Sequence, residues 1–320
     1  MDSWQITLVV LLALMLLNYV ALTFLMKKHI IADINVNEAF SSIEGFSSEQ
    51  DSEADGQSGS GEVLTNDTLY DKFYSKIYEQ IVAGDVRCKT EVIFTLNWIK
   101  KYWKESKSLE ILDVGCGTGT HVSEFTKDGV SKVVGVDSSL AMIERARILH
   151  PEHEYRHDNV EKPRIFAASE FNLVTMYYFT IYYIHHKEQI LKNIFQWLKP
   201  GGGFVVHMVN REKFDPILES ASPFTAFSLQ KYSKERVMKS KVTFDKFDYE
   251  AEFTINEADA EFHETFKFKD GRKRKHVHSF HMPKMDKLVQ EIESAGFTFK
   301  EFIDLTPIGY EYQYLFCFLR

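Results

Sequence analysis

Three glycines spaced two residues apart follow an acidic residue in the run Asp113-x-Gly115-x-Gly117-x-Gly119. The apolar residues before them predict a short buried strand, and the residues after them can begin a helix. Glycine lets the backbone turn tightly and approach a ligand closely, because it has no Cβ atom. A strand, a glycine turn and a helix in this order are typical of a nucleotide site.

A second acid follows the glycines by about twenty residues, the interval at which an acid meets a ribose in nucleotide folds. Residues 132–136 are apolar and end at Asp137. A carboxylate at the tip of a second strand is placed to accept both ribose hydroxyls. The dinucleotide fingerprint Gly-x-Gly-x-x-Gly, however, needs a glycine where Thr120 stands. The spacing therefore argues against a dinucleotide as the ligand.

This combination resembles motif I of the class I S-adenosylmethionine-dependent methyltransferases. The Leu-Lys-Pro-Gly-Gly turn at residues 198–202, before an apolar strand, is a second hallmark of that family. The resemblance covers about residues 69–320 and is closest to the small-molecule type 11 or type 25 domains. It implies a Rossmann-like α/β fold with a seven-stranded sheet that ends in an antiparallel hairpin.

The resemblance also implies S-adenosylmethionine as the cofactor. In the family, the motif acid, here Asp113, helps to hold the amino group of the methionine part, directly or through water. Asp158 resembles the position that hydrogen-bonds the adenine amino group. The cofactor-binding residues expected from the resemblance and the spacing are Tyr74, Asp113, Gly115, Cys116, Gly117, Gly119, Asp137, Ser138, Met142, Asp158, Asn159, Val160 and Tyr177.

The end of the fourth predicted strand, residues 171–178, is where an open α/β sheet places its ligands. Because the cofactor brings an activated methyl group, the protein mainly aligns the acceptor. A base is needed if the acceptor must lose a proton, and His185, His186 and His207 can serve near neutral pH. Tyr177 can hold a cation against its ring. Ordinary packing or capping is the alternative for each of these residues.

An insert of about 75 residues separates the fifth predicted strand, 204–209, from the next helix, a longer gap than such connections usually need. Its alternating apolar residues predict an antiparallel sheet within about 211–283, beside or over the active site. His276, His278 and His281 invite a metal. Only the first two would share a strand face and no carboxylate is evident nearby, so we expect no metal.

The tip of one hairpin in the insert is strongly basic. It contains Arg272, Lys273, Arg274 and Lys275. A solvated turn is the simpler interpretation. Contact with an anionic membrane surface or a phosphorylated substrate is the alternative.

The N-terminal residues 4–26 form an uncharged apolar run. As a helix it would be about 34 Å long, enough to cross a hydrocarbon core of about 30 Å. We therefore expect a transmembrane anchor within residues 1–29 rather than a cleaved signal peptide, because no positive side chain precedes the run. Lys27 and Lys28 directly after it favour a single-pass protein with its catalytic domain in the cytosol.

The segment 30–67 is rich in Ser, Glu, Asp and Gly, which predicts a flexible linker before a domain at 68–320. A net charge of −8 argues against a general nucleic-acid binder. Three scattered cysteines are too few for a disulfide framework or a zinc site.

These patterns favour a membrane-tethered methyltransferase whose acceptor is a small molecule, a lipid or a glycan, with no DNA as partner. Two alternatives stay open. One is a catalytically inactive, methyltransferase-like interaction module at the membrane, and the other is a protein or RNA methyltransferase.

Overall fold

The computed structural model describes residues 63–81, 85–103, 109–216, 236–244 and 247–320. The predicted membrane span and nearly all of the predicted linker lie outside these residues. Within the described ranges, no helix is both long enough and apolar enough to cross a membrane.

The first described elements precede the glycine turn. They are β1 (Val63–Thr65), α1 (Asn66–Leu69), α2 (Lys72–Ile81) and α3 (Asp85–Ile99). Regular structure thus begins a few residues before the predicted linker boundary at residue 67. Apolar residues at helical spacing explain the two longer helices, since Tyr74, Ile77, Val92 and Leu96 are all buried.

Alternating strands and helices follow, as the sequence pattern predicts. They are β2 (Glu110–Val114), α4 (Thr120–Lys127), β3 (Lys132–Asp137), α5 (Leu140–Leu149), β4 (Glu154–His157), β5 (Phe171–Met176), α6 (Thr180–Tyr183), α7 (Lys187–Trp197) and β6 (Leu198–Val209). The five strands pair in parallel. Every residue of β5 is buried, which explains its unbroken apolar run.

The insert forms the predicted antiparallel sheet. Its strands are β7 (Lys239–Thr243), β8 (Phe247–Asn256), β9 (Asp259–Phe268) and β10 (Lys273–His281). The short strand β1 joins this sheet in parallel with β10, giving the order β1-β10-β9-β8-β7. Helix α2 packs on the sheet, where the rings of Phe73 and Phe266 lie 5.5 Å apart. The N-terminal helices therefore connect the insert to the domain.

The chain closes with α8 (Met285–Ser294), β11 (Thr298–Asp304) and β12 (Gln313–Leu319). The last two strands form the predicted hairpin, and β12 runs antiparallel to β6. The central sheet has seven strands in the order β11-β12-β6-β5-β2-β3-β4. Chain order reverses between β2 and β5, and ligands bind at such a switch point.

The sequence suggests a separate turn at the glycines after Lys199. In the structure these glycines belong to strand β6. The carbonyl of Gly202 accepts a hydrogen bond from the backbone N–H of Arg320 at 2.9 Å. Gly203 pairs with Leu319 of β12 and lies where a Cβ atom would come within 2.7 Å of Trp98. Close packing of α3 on the sheet is therefore one reason for glycine here.

Candidate functional site

A cavity of about 580 Å³ lies at the carboxyl ends of β2, β3 and β5. Most residues predicted from the sequence line it, namely Gly115, Cys116, Gly117, Asp137, Ser138, Met142, Asn159, Val160, Tyr177, His185 and His186. Five predicted residues do not line it, namely Tyr74, Asp113, Gly119, Asp158 and His207. The structure thus brings together residues that are more than 70 positions apart in the chain.

The glycine turn leads from β2 into α4 with all three glycines at positive φ, +71° at Gly115, +53° at Gly117 and +85° at Gly119. A Cβ atom on Gly115 would lie 2.4 Å from the side chain of Thr180, and one on Gly119 would lie 2.4 Å from the hydroxyl of Tyr155. These two glycines therefore make room for protein side chains packed against the turn. The sequence pattern alone predicts that this room serves the ligand.

Asp137 lies at the tip of β3 and binds the backbone of the glycine turn. Its Oδ2 accepts a hydrogen bond from the backbone N–H of Gly117 at 2.9 Å, and its Oδ1 accepts one from Ser139 at 2.8 Å. Burial raises the pKa of Asp137, although these backbone donors act in the opposite direction. Each carboxylate oxygen has a second lone pair and can still accept a ligand hydroxyl.

Asp113 lies behind the turn and is 1% exposed. Its Oδ1 accepts a hydrogen bond from the hydroxyl of Thr175 at 2.8 Å. Burial raises the pKa of Asp113 to about 6. The motif acid is therefore held by the neighbouring strand β5 and does not reach the cavity surface.

A buried charged cluster, which the sequence argument missed, lines the same cavity. Nε of Arg87 donates to Glu91 at 3.0 Å, and His121 Nε2 lies 2.8 Å from the second oxygen of Glu91. Burial would raise the pKa of Glu91, but Arg87 and His121 outweigh it and lower the pKa to about 2. Burial would lower the pKa of His121, but Cys88 and Glu91 raise it well above its ordinary value.

Arg87 and His121 both face the single carboxylate of Glu91 in this cluster. Arg87 is 6% exposed, and within the described residues its buried Nη2 has no hydrogen-bond partner. Its guanidinium is held between the rings of Tyr178 and Tyr310, 4.5 and 4.3 Å from their centroids. A fixed, buried guanidinium with a free donor suits an anionic ligand group such as a carboxylate.

Tyr177 lines the cavity with its ring only. Its hydroxyl donates to Thr95 at 2.8 Å, and its ring stacks on His121 with 4.2 Å between centroids. His121 thus covers one face of the ring and the hydroxyl points into the core, and the predicted cation–π contact with a ligand stays a prediction.

The three predicted bases differ sharply in environment. His185 and His186 are exposed and line the cavity. His207 is 0% exposed, and its Nδ1 lies 2.6 Å from the carbonyl of Tyr178. Burial lowers the pKa of His207 to about 4, so the ring is neutral near pH 7. It braces Tyr178, whose φ of +52° is unusual for a tyrosine.

The expectation that no carboxylate accompanies the insert histidines is wrong. Glu264, on the neighbouring strand β9, lies with Oε2 at 2.7 Å from Nε2 of His278 and at 3.3 Å from Nδ1 of His276. Nε of Arg274 donates to Nε2 of His276 at 2.6 Å, so the proton of that ring sits on Nδ1 and points to Glu264. These hydrogen bonds give each of the three buried side chains a partner. His281 lies apart and pairs with Asp259 at 3.0 Å.

Other predicted residues have partners elsewhere. The hydroxyl of Tyr74 donates to Glu264 at 3.3 Å, and Asp158 pairs with Lys162 at 3.0 Å. In the basic tip, Arg272 pairs with Asp270, and Arg274 pairs with Asp71 at 2.6 Å. Lys273 and Lys275 are exposed, so only part of the tip charge is committed to internal pairs.

Comparison with known proteins supports the methyltransferase interpretation. Residues 111–202 match the family described as "Methyltransferase domain". A probable S-adenosylmethionine-dependent methyltransferase from Mycolicibacterium smegmatis is 29% identical over 107 residues, which are 33% of this chain and 40% of that protein. The match therefore spans less than half the length of this curated relative.

Solved structures extend the likeness to most of the chain. The CcbJ methyltransferase from Streptomyces caelestis has a TM-score of 0.61 at 16% identity, over 79% of this chain and 98% of that chain. CalS10, an amino pentose methyltransferase from Micromonospora echinaspora solved with S-adenosylmethionine bound, has a TM-score of 0.53 at 17% identity, over 73% of this chain and 91% of that chain. At such identities the likeness establishes the fold. Residues 111–202 thus match a methyltransferase domain family, and the chain has the fold of these methyltransferase structures over most of its length.

Proposed function

We propose that this chain transfers a methyl group from S-adenosylmethionine to a small polar acceptor such as an amino sugar. The observation that carries the proposal is the cavity, which joins the carboxylate of Asp137 to the charged cluster of Arg87, Glu91 and His121. Its volume of about 580 Å³ is in the range of small-molecule sites. The amino pentose activity named for CalS10 supports a sugar-like acceptor.

The residues fit the proposed cofactor at both ends. Asp137 has lone pairs left for two ribose hydroxyls, and the unpartnered Nη2 of Arg87 suits the carboxylate of the methionine part. When bound, S-adenosylmethionine supplies a methyl group on a positively charged sulfur. The chain's own task is then to align the acceptor, to exclude water and to take up a proton.

Calorimetric titration of S-adenosylmethionine into the full chain tests the cofactor. We expect micromolar binding that Asp137→Asn weakens about 5- to 150-fold, the cost of about 1–3 kcal/mol for an impaired charged hydrogen bond. Asp128→Asn, an exposed carboxylate at the end of α4, is the matched control and should leave the affinity unchanged. Absence of binding by the folded chain would refute the proposal.

Paired acceptors test the substrate class. D-glucosamine carries an amine where D-glucose carries a hydroxyl. We expect methyl transfer to D-glucosamine alone. Transfer to glucose at an equal rate would show that the amine is not the acceptor.

We also propose that the apolar run 4–26 anchors the enzyme in a membrane with its catalytic domain in the cytosol. The support is the length and lack of charge of this run and the two lysines after it. Alkaline carbonate extraction of cell membranes should leave the full chain in the pellet and release a chain lacking residues 1–29. Protease added to intact vesicles should remove the domain only if the domain faces the outside of the vesicle. Asn66-Asp67-Thr68 is an acceptor sequence for N-glycosylation, so recovery of a glycan on Asn66 would contradict the cytosolic orientation.

A further inference from the structure

A chain of hydrogen bonds leads from the cavity into the insert. Tyr70 and Tyr183 both line the cavity, and their hydroxyl oxygens lie 2.6 Å apart. The hydroxyl of Tyr183 also lies 2.5 Å from Nδ1 of His278. On the far side of that ring, Nε2 lies 2.7 Å from the buried carboxylate of Glu264.

Three conditions set the directions of these hydrogen bonds: Arg274 can only donate, the ionised Glu264 can only accept, and a neutral His278 ring carries one proton. Its Nε–H donates to Nε2 of His276, so His276 must donate from Nδ1 to Glu264. Glu264 accepts likewise from Nε2–H of His278. This leaves Nδ1 of His278 as an acceptor for the hydroxyl of Tyr183. Tyr183 in turn accepts from Tyr70.

Glu264 is held as a carboxylate at the buried end of the chain. It is 1% exposed, and its Oε1 accepts hydrogen bonds from Tyr74 at 3.3 Å and from Tyr249 at 2.6 Å. Burial would raise its pKa, but His278 and His276 outweigh burial and lower it. An ionised carboxylate behind an imidazole stabilises the imidazolium form, as in a catalytic triad.

We propose that Tyr70, Tyr183 and His278 form a proton relay that removes the proton from the methyl acceptor. The inference rests on the proposed function and deepens it. As the bond from methyl carbon to sulfur breaks and the bond to the acceptor nitrogen or oxygen forms, the acceptor proton moves to the oxygen of Tyr70. The proton of Tyr70 passes to Tyr183, and that of Tyr183 passes to Nδ1 of His278. An imidazolium–carboxylate pair with Glu264 results.

His278 is surrounded by titratable side chains from several elements of the described structure. The titratable groups that face His278 are Tyr183 from α6, Tyr70 and Tyr74 from the N-terminal segment, Glu264 from β9 and His276 from its own strand. Tyr70 and Tyr183 touch the cavity, so they are the catalytic candidates. His278 and Glu264 act through them.

Histidine-selective ¹⁵N NMR on the full chain tests the relay without a known acceptor. The probe is sinefungin, in which a carbon bearing an amine replaces the sulfonium and its methyl group. S-adenosylhomocysteine is the control ligand, because it has no amine at that position. His278→Gln identifies the resonances of His278.

We expect Nδ1 of His278 to be unprotonated in the free protein and to move toward the imidazolium position with sinefungin, but not with S-adenosylhomocysteine. Tyr183→Phe should abolish this response while sinefungin still binds. His263→Gln, which changes a half-exposed histidine on β9, should keep it.

Each result decides between the two proposals. Binding of sinefungin with no change at His278, or a proton on Nδ1 of His278 in the free protein, would overturn the relay and leave the proposed function intact. Failure of both ligands to bind would overturn the proposed function, and the relay with it.

Discussion

Arg87 and Glu91 form an ion pair one helical turn apart in α3, with 3.0 Å between Nε and the carboxylate and with both side chains buried. Buried ion pairs are costly to form, and their retention at a cavity is a sign of use by a ligand. The pair occupies one edge of the guanidinium and leaves Nη2 directed elsewhere.

Arg87→Lys should weaken S-adenosylmethionine binding about tenfold while most of the free energy of unfolding is kept. Lysine preserves the charge that Glu91 requires but lacks the second planar donor. Calorimetry and urea unfolding measure the two effects separately. Arg156→Lys, a half-exposed arginine outside the cavity lining, is the control. Unchanged affinity in Arg87→Lys would show that Nη2 does not hold the cofactor.

Gly119→Ala should be much more destabilising than Gly129→Ala. Both glycines have positive φ, +85° and +90°, so both substitutions incur about 1–2 kcal/mol of backbone strain. Only at Gly119 would the new Cβ atom meet a side chain, the Tyr155 hydroxyl at 2.4 Å, whereas nothing lies within 4 Å at Gly129. Urea midpoints give the difference. Equal losses would mean that Tyr155 moves aside freely.

Asp113→Asn should stabilise the protein at pH 8. The folded-state pKa of about 6 lies above the unfolded value of 3.8, so the wild type loses stability as pH rises through this window. The penalty at pH 8 is about 3 kcal/mol, and asparagine removes it while still accepting the Thr175 hydrogen bond. The gain should shrink toward pH 4. Urea unfolding of both proteins at pH 8 and pH 4.5 checks this, with Asp128→Asn as control.

On acidification, the free energy of unfolding should fall less in His207→Gln than in the wild type. The folded-state pKa of about 4 lies below the unfolded value of 6.5, so the neutral ring stabilises the fold above pH 6.5. That contribution, about 3 kcal/mol in full, is lost as pH falls to 4. The difference in unfolding free energy between wild type and variant should therefore decrease from pH 7 to pH 4. A constant difference would contradict the neutral, buried state of His207.

The regular elements could be predicted from the sequence because local patterns determine them. A helix begins directly after the glycines, as expected, and the sheet of the insert follows from alternating residues. The parallel contact of β1 with β10 could not be predicted, because three residues carry no register information.

The residues that line the cavity were largely predictable because they follow strand ends in a fixed order. The proton relay was not, because Glu264 belongs to another strand than His276 and His278. A carboxylate 12 and 14 residues away meets those rings only through the register of β9 with β10. Arg87 was missed for a related reason, since a single arginine near the start of a helix has no distinctive local pattern.

The placement of the cysteines gives the protein a built-in reporter. Cys88 and Cys116 line the cavity beside the charged cluster and the glycine turn, whereas Cys317 is 0% exposed within β12 and outside the lining. All three are free thiols. Cys88 and Cys116 are themselves only 3% and 6% exposed, and burial raises the pKa of the Cys116 thiol. Alkylation of these two thiols therefore reports opening of the domain around the cavity, and alkylation of Cys317 reports opening of the central sheet.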